Sequence, residues 1–228
     1  MNEPPAAPLP PAQPPVPPAA PPADCLRCPR LAAFRAGNRA RHPDFHNAPV
    51  LSFGPLDARL LVVGLAPGLK GANATGRPFT GDYAGDLLYA TLAKFGFTRG
   101  DYGARTDDGL ALADARITNA VRCVPPENKP MGAEIRACRR YLEAEIAAMP
   151  RLAVILALGT IAHNSVLAAL GRRRSAHPFG HGVVHPLPGG PALVASYHCS
   201  RYNTNTGRLT TEMFEAVFAA ICTRLNET

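Results

Sequence analysis

Short apolar runs alternate along this chain with segments whose apolar positions recur every three or four residues. The runs cover residues 59–63, 116–121, 152–158 and 192–196, and their nearly continuous apolar character is typical of parallel strands buried on both faces. Helical periodicity covers residues 86–95, 133–149, 160–170 and 211–225. Strands and helices in alternation predict an α/β fold in which helices flank a parallel sheet.

The first 23 residues differ in composition from the rest. Eleven of the 25 prolines lie there, among alanines and a few other small or polar residues, so this segment cannot build a packed core. We expect a disordered, partly polyproline arm over residues 1–23 and a single domain over residues 24–228. No signal peptide and no apolar run of about 20 residues is evident, which predicts a soluble, cytoplasmic protein with no membrane association.

The charge balance favours an anionic partner. Lys and Arg number 24 against 17 Asp and Glu, a formal net charge of +7. Such an excess fits a nucleic-acid-binding protein but does not prove one, because charge indicates partners and not chemistry.

Three of the four segments after the predicted strands are unusually polar or rich in glycine. The four segments are residues 64–68, Arg122-Cys123, Gly159-Thr160 and residues 197–200. Ligands of parallel sheets bind outside the carboxyl ends of the strands. We therefore expect the functional residues to gather at that edge of the sheet.

The first of these segments is a candidate cradle for a ligand. Glycines let the backbone of Ala66, Pro67 and Gly68 approach a ligand closely, and Asn73, a little further along, is a candidate for the same binding role. The spacing matches neither a P-loop nor a dinucleotide fingerprint, so a tight turn without a ligand is an equal alternative.

Phe79 and Asp82 follow in the same glycine-rich stretch. An exposed aromatic ring beside a backbone cradle is a platform for a flat ligand ring, so we expect Phe79 to be exposed and to stack on one. Asp82 adds a carboxylate beside it.

Asn119 and His198 are candidates from two other strands. An amide inside the apolar run around Asn119 needs a hydrogen-bond partner; it suits the edge of a nucleobase, or is a satisfied structural amide. His198 directly follows the last strand and is placed to donate to a leaving group or to move a proton.

Residues 200–208 are rich in Asn, Thr and Arg and contain no acidic residue. Ser200, Arg201 and Arg208 are therefore candidates for contact with phosphate groups, and a solvated turn is the alternative.

Four cysteines are spaced like metal ligands. Cys25 and Cys28 form a C-x-x-C motif, and Cys123 and Cys138 are separated by 14 residues. Both a four-cysteine zinc site and a [4Fe–4S] cluster accept this set, and the long separation between the pairs favours the cluster slightly. Cys222 lies within a helical apolar stripe and is expected to act as a small hydrophobic residue.

Taken together, these segments resemble the uracil-DNA glycosylase superfamily, most closely its family 5. The resemblance covers most of residues 24–228 and is carried by residues 25–31, 64–68, 71–73, 75–82, 119–123 and 197–200. Sister family 4 usually has Glu where this chain has Leu65, which points to family 5 and to Asp82 as its catalytic acidic residue. The family's His-Pro-Ser is His198-Cys199-Ser200 here.

The resemblance implies a three-layer α/β/α sandwich around a mainly parallel four-stranded sheet, with a [4Fe–4S] cluster on Cys25, Cys28, Cys123 and Cys138. It further implies a monomeric DNA-repair enzyme that flips uracil, and other deaminated bases such as hypoxanthine, out of double- or single-stranded DNA and hydrolyses the N-glycosidic bond. The alternatives are a DNA-binding module with an iron–sulfur or zinc site and no activity, and a small-molecule hydrolase.

Overall fold

The computed structural model describes residues 18–227 of the chain. Its strands are β1 (Leu60–Gly64), β2 (Thr98–Arg99), β3 (Ala111–Leu112), β4 (Ala115–Asn119), β5 (Val154–Leu158), β6 (Val184–His185) and β7 (Ala192–Ser196). Its α-helices are α1 (Pro29–Arg41), α2 (Ala72–Thr75), α3 (Tyr83–Lys94), α4 (Gly132–Ala147), α5 (Thr160–Ala169), α6 (Arg201–Asn205) and α7 (Thr211–Asn226). Short 3₁₀ turns occupy Pro126–Asn128 and Arg174–Ala176.

The central sheet has the strand order β4-β1-β5-β7-β6. The four strands predicted from the sequence pair in parallel, and every residue of β1, β5 and β7 is buried, which explains their continuous apolar character. The fifth strand, β6, is antiparallel and was not predicted. A strand of only two residues shows no hydrophobic periodicity in the sequence, so the predicted number of strands in the sheet, four, was one too low.

Helices cover both faces of the sheet. On one face Leu60 and Val62 of β1 pack in a cluster with Leu88 of α3 and with Phe214 and Phe218 of α7. On the other face, alternate β1 residues join a second cluster with α4 and α5. Because successive side chains of a strand point to opposite faces, β1 serves both clusters, and the predicted three-layer α/β/α arrangement is confirmed.

Helix α1 was not predicted from the sequence. It begins with Pro29 directly after the C-x-x-C motif, and proline is favoured at the first position of a helix. Its buried residues include Arg35 and Asn38, so its inner face lacks a continuous apolar stripe. A helix that buries polar residues in this way gives no clear apolar period.

Only part of the predicted arm can be compared with the structure, because residues 1–17 lie outside the described residues. Pro21, near the end of the arm, is buried beside the cysteines, and Pro22 O accepts a hydrogen bond from Cys25 N. No helix among residues 18–227 has the length and apolar character needed to cross a membrane.

A buried ion pair anchors the segment that leads from α2 to α3. Arg77 donates to both carboxylate oxygens of Asp108, at 2.8 and 2.6 Å, and each side chain is 4–6% exposed. The Arg77 guanidinium also lies over the rings of Phe53, Tyr89 and Tyr102. Hydrogen bonds from Arg77 hold the pKa of Asp108 well below its usual range.

We expect Asp108→Asn to lower the free energy of unfolding by about 3 kcal/mol, because it leaves a buried guanidinium without its counter-charge. Urea denaturation at pH 7 measures this. Asp107→Asn is the matched control: Asp107 is 76% exposed and paired with Arg105 at the surface, so its loss should cost less than about 1 kcal/mol. Equal losses in the two variants would contradict the role given to the buried pair.

Candidate active site

A cavity of about 510 Å³ opens at the carboxyl ends of β1, β4 and β7. Its lining includes nine of the residues predicted from the sequence: Ala66, Pro67, Gly68, Phe79, Asp82, Asn119, His198, Ser200 and Arg201. Cavities of this volume are typical of sites for small ligands. The predicted edge of the sheet therefore carries one site that unites three separate parts of the sequence.

The end of β1 lies against the two side chains that form the back of this cavity. A methyl group on Gly64 would lie 2.5 Å from Phe79 Cζ and would collide with Asn119 Oδ1. A glycine is required here because β1 comes so close to both side chains.

Phe79 is held in an unusual backbone conformation. Its φ is +53°, in the left-handed region that bulky residues rarely adopt, and a Cβ on Gly85 would collide with Phe79 O. The ring is 6% exposed, so the prediction of an exposed ring was wrong, although the ring does line the cavity. It lies 6.0 Å from the His198 ring, with 26° between the planes. Strain of this kind often occurs at functional sites.

Asn119, the last residue of β4, is 3% exposed and lines the cavity. Within residues 18–227 its side-chain amide makes no hydrogen bond. A nearly buried amide without a protein partner has both a donor and an acceptor available for a ligand in the cavity. The alternative, an amide satisfied within the fold, is not what the structure shows.

Asp82 is the N-cap of α3. Its Oδ1 accepts a hydrogen bond from Gly85 N at 3.2 Å, and its Oδ2 lies so close to Gly71 that a Cβ there would collide with it. Burial raises the pKa of Asp82 above its usual value, and the charge of Asp86 adds to this. The carboxylate is therefore fixed in orientation and more basic than that of an exposed aspartate.

His198 enters the cavity from the turn after β7. Burial lowers its pKa to about 4, so its imidazole is neutral near pH 7. The turn is fixed by Asn203 Nδ2, which donates to His198 O at 2.8 Å, and by Ser200, which caps α6. Cys199 is fully buried, and its thiol donates to Ala84 O at 3.3 Å, which ties this turn to the start of α3.

Two predicted residues do not line the cavity. Asn73 is buried and donates to Asn47 Oδ1 at 3.0 Å, while its backbone N–H donates to Gly68 O. Asn73 therefore supports the loop from behind. The Arg208 guanidinium lies 4.7 Å from the Tyr197 ring, also away from the cavity lining.

Tyr83 and Asn128 line the cavity and were missed from the sequence. Tyr83 is 37% exposed, and the Arg201 guanidinium lies 5.3 Å from the centre of its ring. Asn128 and its neighbour Glu127 both have positive φ, at 57° and 54°. The prolines that precede this turn signal a loop, but nothing in the local pattern directs the loop to the cavity.

A second, small cavity is lined by the four predicted metal ligands, Cys25, Cys28, Cys123 and Cys138. All four are free thiols. Arg35 Nη1 donates to Cys123 Sγ at 3.6 Å, and Arg122 N donates to Cys138 Sγ at 3.3 Å.

Cysteine thiolates are the ligands that structural zinc ions and iron–sulfur clusters take. Burial raises the pKa of Cys28 to about 11 and that of Cys123 to about 12, so these two thiols are neutral without a cation beside them. In the described part of the chain, no three His, Cys, Asp or Glu side chains form a group that fits a single metal ion.

Cys222 packs against the main core, as predicted for a small hydrophobic residue.

Comparisons with known proteins agree with the resemblance noted from the sequence. The model of the uracil DNA glycosylase superfamily matches residues 51–222. A type-5 uracil-DNA glycosylase of Thermus thermophilus is 50% identical over 195 residues, 83% of this chain and 89% of that protein. A type-5 enzyme of Pyrobaculum aerophilum is 40% identical, over 85% of this chain and 86% of that protein. A type-4 uracil-DNA glycosylase of the same organism is 38% identical over only 53% of this chain and 54% of that protein.

We expect Gly64→Ala to lower the free energy of unfolding by about 2 kcal/mol, because the added methyl group must displace Phe79 and Asn119. Chemical denaturation measures the change. Gly190→Ala is the matched control, since the nearest atom to its new methyl group would be 3.8 Å away and its φ is not positive. A Gly64→Ala protein as stable as the control would show that the end of β1 is less tightly packed than described.

Proposed function

We propose that this chain, which belongs to the type-5 group of the uracil-DNA glycosylase superfamily, hydrolyses the N-glycosidic bond that joins uracil to deoxyribose in DNA. The observation that carries the proposal is the cavity shared by Phe79, Asp82, Asn119 and His198. It combines a ring for stacking, an unpaired amide, a neutral imidazole and a carboxylate, which are the groups that this reaction requires.

The substrate bond is hidden in the base stack, so the nucleotide must first turn out of the duplex into the cavity. This costs a few kcal/mol and costs least for mismatched or damaged pairs, which helps the enzyme to select them. The net charge of +7 favours the approach of DNA.

Phe79 and Asn119 recognise the base. The ring of Phe79 supplies a stacking surface, and the free amide of Asn119 pairs with the edge of the base. Because an amide offers both a donor and an acceptor, the same contact serves uracil and hypoxanthine. The backbone of Ala66, Pro67 and Gly68 completes the wall of the cavity.

His198 stabilises the departing base. As the N-glycosidic bond breaks, negative charge develops on the base, and a neutral imidazole N–H donates a hydrogen bond to it. With a pKa near 4, His198 is not protonated to imidazolium at pH 7, so it acts as a hydrogen-bond donor and not as a general acid.

Asp82 acts on the sugar side of the bond. The sugar gains oxocarbenium character in the transition state, and a nearby carboxylate stabilises this positive charge and orients the attacking water. Its fixed position as the N-cap of α3 means that little reorientation is needed during the reaction.

Ser200 and Arg201, at the rim of the cavity, contact the phosphates. The Ser200 oxygen accepts the capping hydrogen bond of α6, which leaves its O–H free to donate to a phosphate. Arg208, predicted for the same role, is exposed and lies against the ring of Tyr197 outside the cavity lining, so its contact with DNA stays a prediction.

Asp82→Asn should reduce the single-turnover rate of uracil release at least about 100-fold while leaving DNA affinity nearly unchanged, because asparagine caps a helix equally well but lacks the charge. Base release from a uracil-containing duplex measures the rate. Asp86→Asn, an exposed change in the first turn of the same helix, should alter it by less than about threefold.

A near-normal rate for Asp82→Asn would reject the role of this carboxylate. Wild-type protein that binds the duplex but releases no base would reject the enzyme and favour a DNA-binding module. Duplexes with hypoxanthine, xanthine and mismatched thymine, assayed in parallel, give the base preference; failure to release hypoxanthine would confine the activity to uracil.

We further propose that Cys25, Cys28, Cys123 and Cys138 hold a [4Fe–4S] cluster. The four thiols line one cavity, and the N–H donors of Arg35 and Arg122 point to two of the sulfurs, as is common around such clusters. Bound there, the cluster would tie the start of α1 to the loop after β4 and to α4. We assign it no part in bond cleavage.

Cys138→Ser should remove most of the iron and acid-labile sulfide from the purified protein and lower its melting temperature, because a lost ligand opens the cluster. Elemental analysis, visible absorbance and thermal denaturation measure these effects. Cys222→Ser should keep full iron content. One zinc per wild-type chain, with no iron, would replace the cluster by a structural zinc ion.

A further inference from the structure

A third cavity, of about 290 Å³, lies between α4 and α5, apart from both sites described above. Its lining residues are Gly132, Ile135, Arg136, Arg139, Ile161, Asn164, Ser165 and Arg174. Three of these are arginines and none is acidic. We call it the arginine cavity.

The three arginines are not engaged by acidic residues. None of them forms an ion pair within residues 18–227. The Nε atom of Arg139 is buried and has no hydrogen-bond partner in the described chain. A buried guanidinium N–H without an acceptor is costly, and a bound anion would remove that cost.

The helices that form the cavity add to its positive potential. Gly132 is the first residue of α4 and Ile161 the second residue of α5, so the first turns of both helices contribute to the lining. Helix N-termini carry partial positive charge. Together with three guanidinium groups, this potential selects an anion, and guanidinium groups match phosphate with paired N–H donors.

The cavity opens along the same edge of the sheet as the catalytic cavity. Asn128 lines the catalytic cavity and Gly132 the arginine cavity, so the two are linked by four residues, at most about 14 Å. A Cβ on Gly159, directly before α5, would lie 3.7 Å from His198 Cβ. Phosphates of one strand recur at about 3.4 Å of rise, so a phosphate within about four nucleotides of the everted base can reach this cavity.

We propose that the arginine cavity binds a backbone phosphate of the DNA whose damaged base occupies the catalytic cavity. This inference rests on the proposed function. It adds an anchoring point on the α4–α5 side of the site, beyond the rim contacts of Ser200 and Arg201. Such a contact fixes the register of the DNA and does not recognise bases.

Binding of duplexes with single neutral linkages tests the proposal. Each duplex carries an uncleavable deoxyuridine analogue and one methylphosphonate, moved along both strands in turn. We expect wild-type protein to lose affinity about tenfold at one or two linkages within about four nucleotides of the analogue, the loss of one charge-assisted hydrogen bond. In Arg136→Gln/Arg174→Gln, neutralising those linkages should no longer reduce affinity. The slope of log affinity against log salt should decrease in magnitude by about 1.

Arg140→Gln/Arg151→Gln is the matched control. It removes the same charge from two residues that are exposed and do not line the cavity. The control should keep the wild-type linkage pattern. If the sensitive linkages stay sensitive in the cavity variant, or if both double variants lose the pattern alike, the cavity does not hold a DNA phosphate.

Inorganic phosphate distinguishes a second source of the same anion. If phosphate raises the melting temperature of wild-type protein but not of the cavity variant, while both show the same linkage pattern, the cavity binds a free anion and the DNA assignment is wrong. Base release is measured separately. A protein with the expected linkage pattern but no base release would refute the proposed function and leave this inference standing.

Discussion

The candidate active site depends on the contact of Phe79 and Asn119 with the bare backbone of Gly64 at the end of β1. A strand buried on both faces can end beside an aromatic ring and an amide only if it carries no side chain there. This contact fixes both side chains at the back of the cavity. The positive φ of Phe79 is maintained by the packing around it, including the close approach of Gly85 and the clamp of Arg77 on Asp108.

Desolvation sets the chemical state of the groups in this site. Burial disfavours the charged form of each group. It therefore raises the pKa of Asp82, whose charged form lacks the proton, and lowers the pKa of His198, whose charged form carries it. An imidazole that is neutral at pH 7 and a carboxyl group of fixed orientation therefore face one cavity. Neither property belongs to the residue type alone, because both result from the removal of water around it.

Positive charge is distributed along the edge of the sheet where the parallel strands end. The rim of the catalytic cavity carries Arg201, and the arginine cavity adds Arg136, Arg139 and Arg174. The helices that follow β4 and β5 begin at this edge, so their N-termini add to the potential. The topology that gathers the proposed catalytic groups at this edge thus also places the proposed phosphate-binding groups there.

Local sequence patterns were enough to predict the α/β class, the four parallel strands, and the edge of the sheet at which the candidate site lies, because continuous apolar runs and the residues after them are local properties of the chain. The sequence also named Phe79, Asp82, Asn119 and His198 as candidates, and all four line one cavity. The tertiary structure was needed to show which candidates share a cavity. Asn73 lies behind the loop and donates to Asn47, and Arg208 lies against the ring of Tyr197. Strand β6, helix α1, and the roles of Tyr83 and Asn128 in the cavity lining also came only from the structure. These features depend on packing between residues far apart in the chain, and no local pattern encodes the distances or the loss of water that such packing creates.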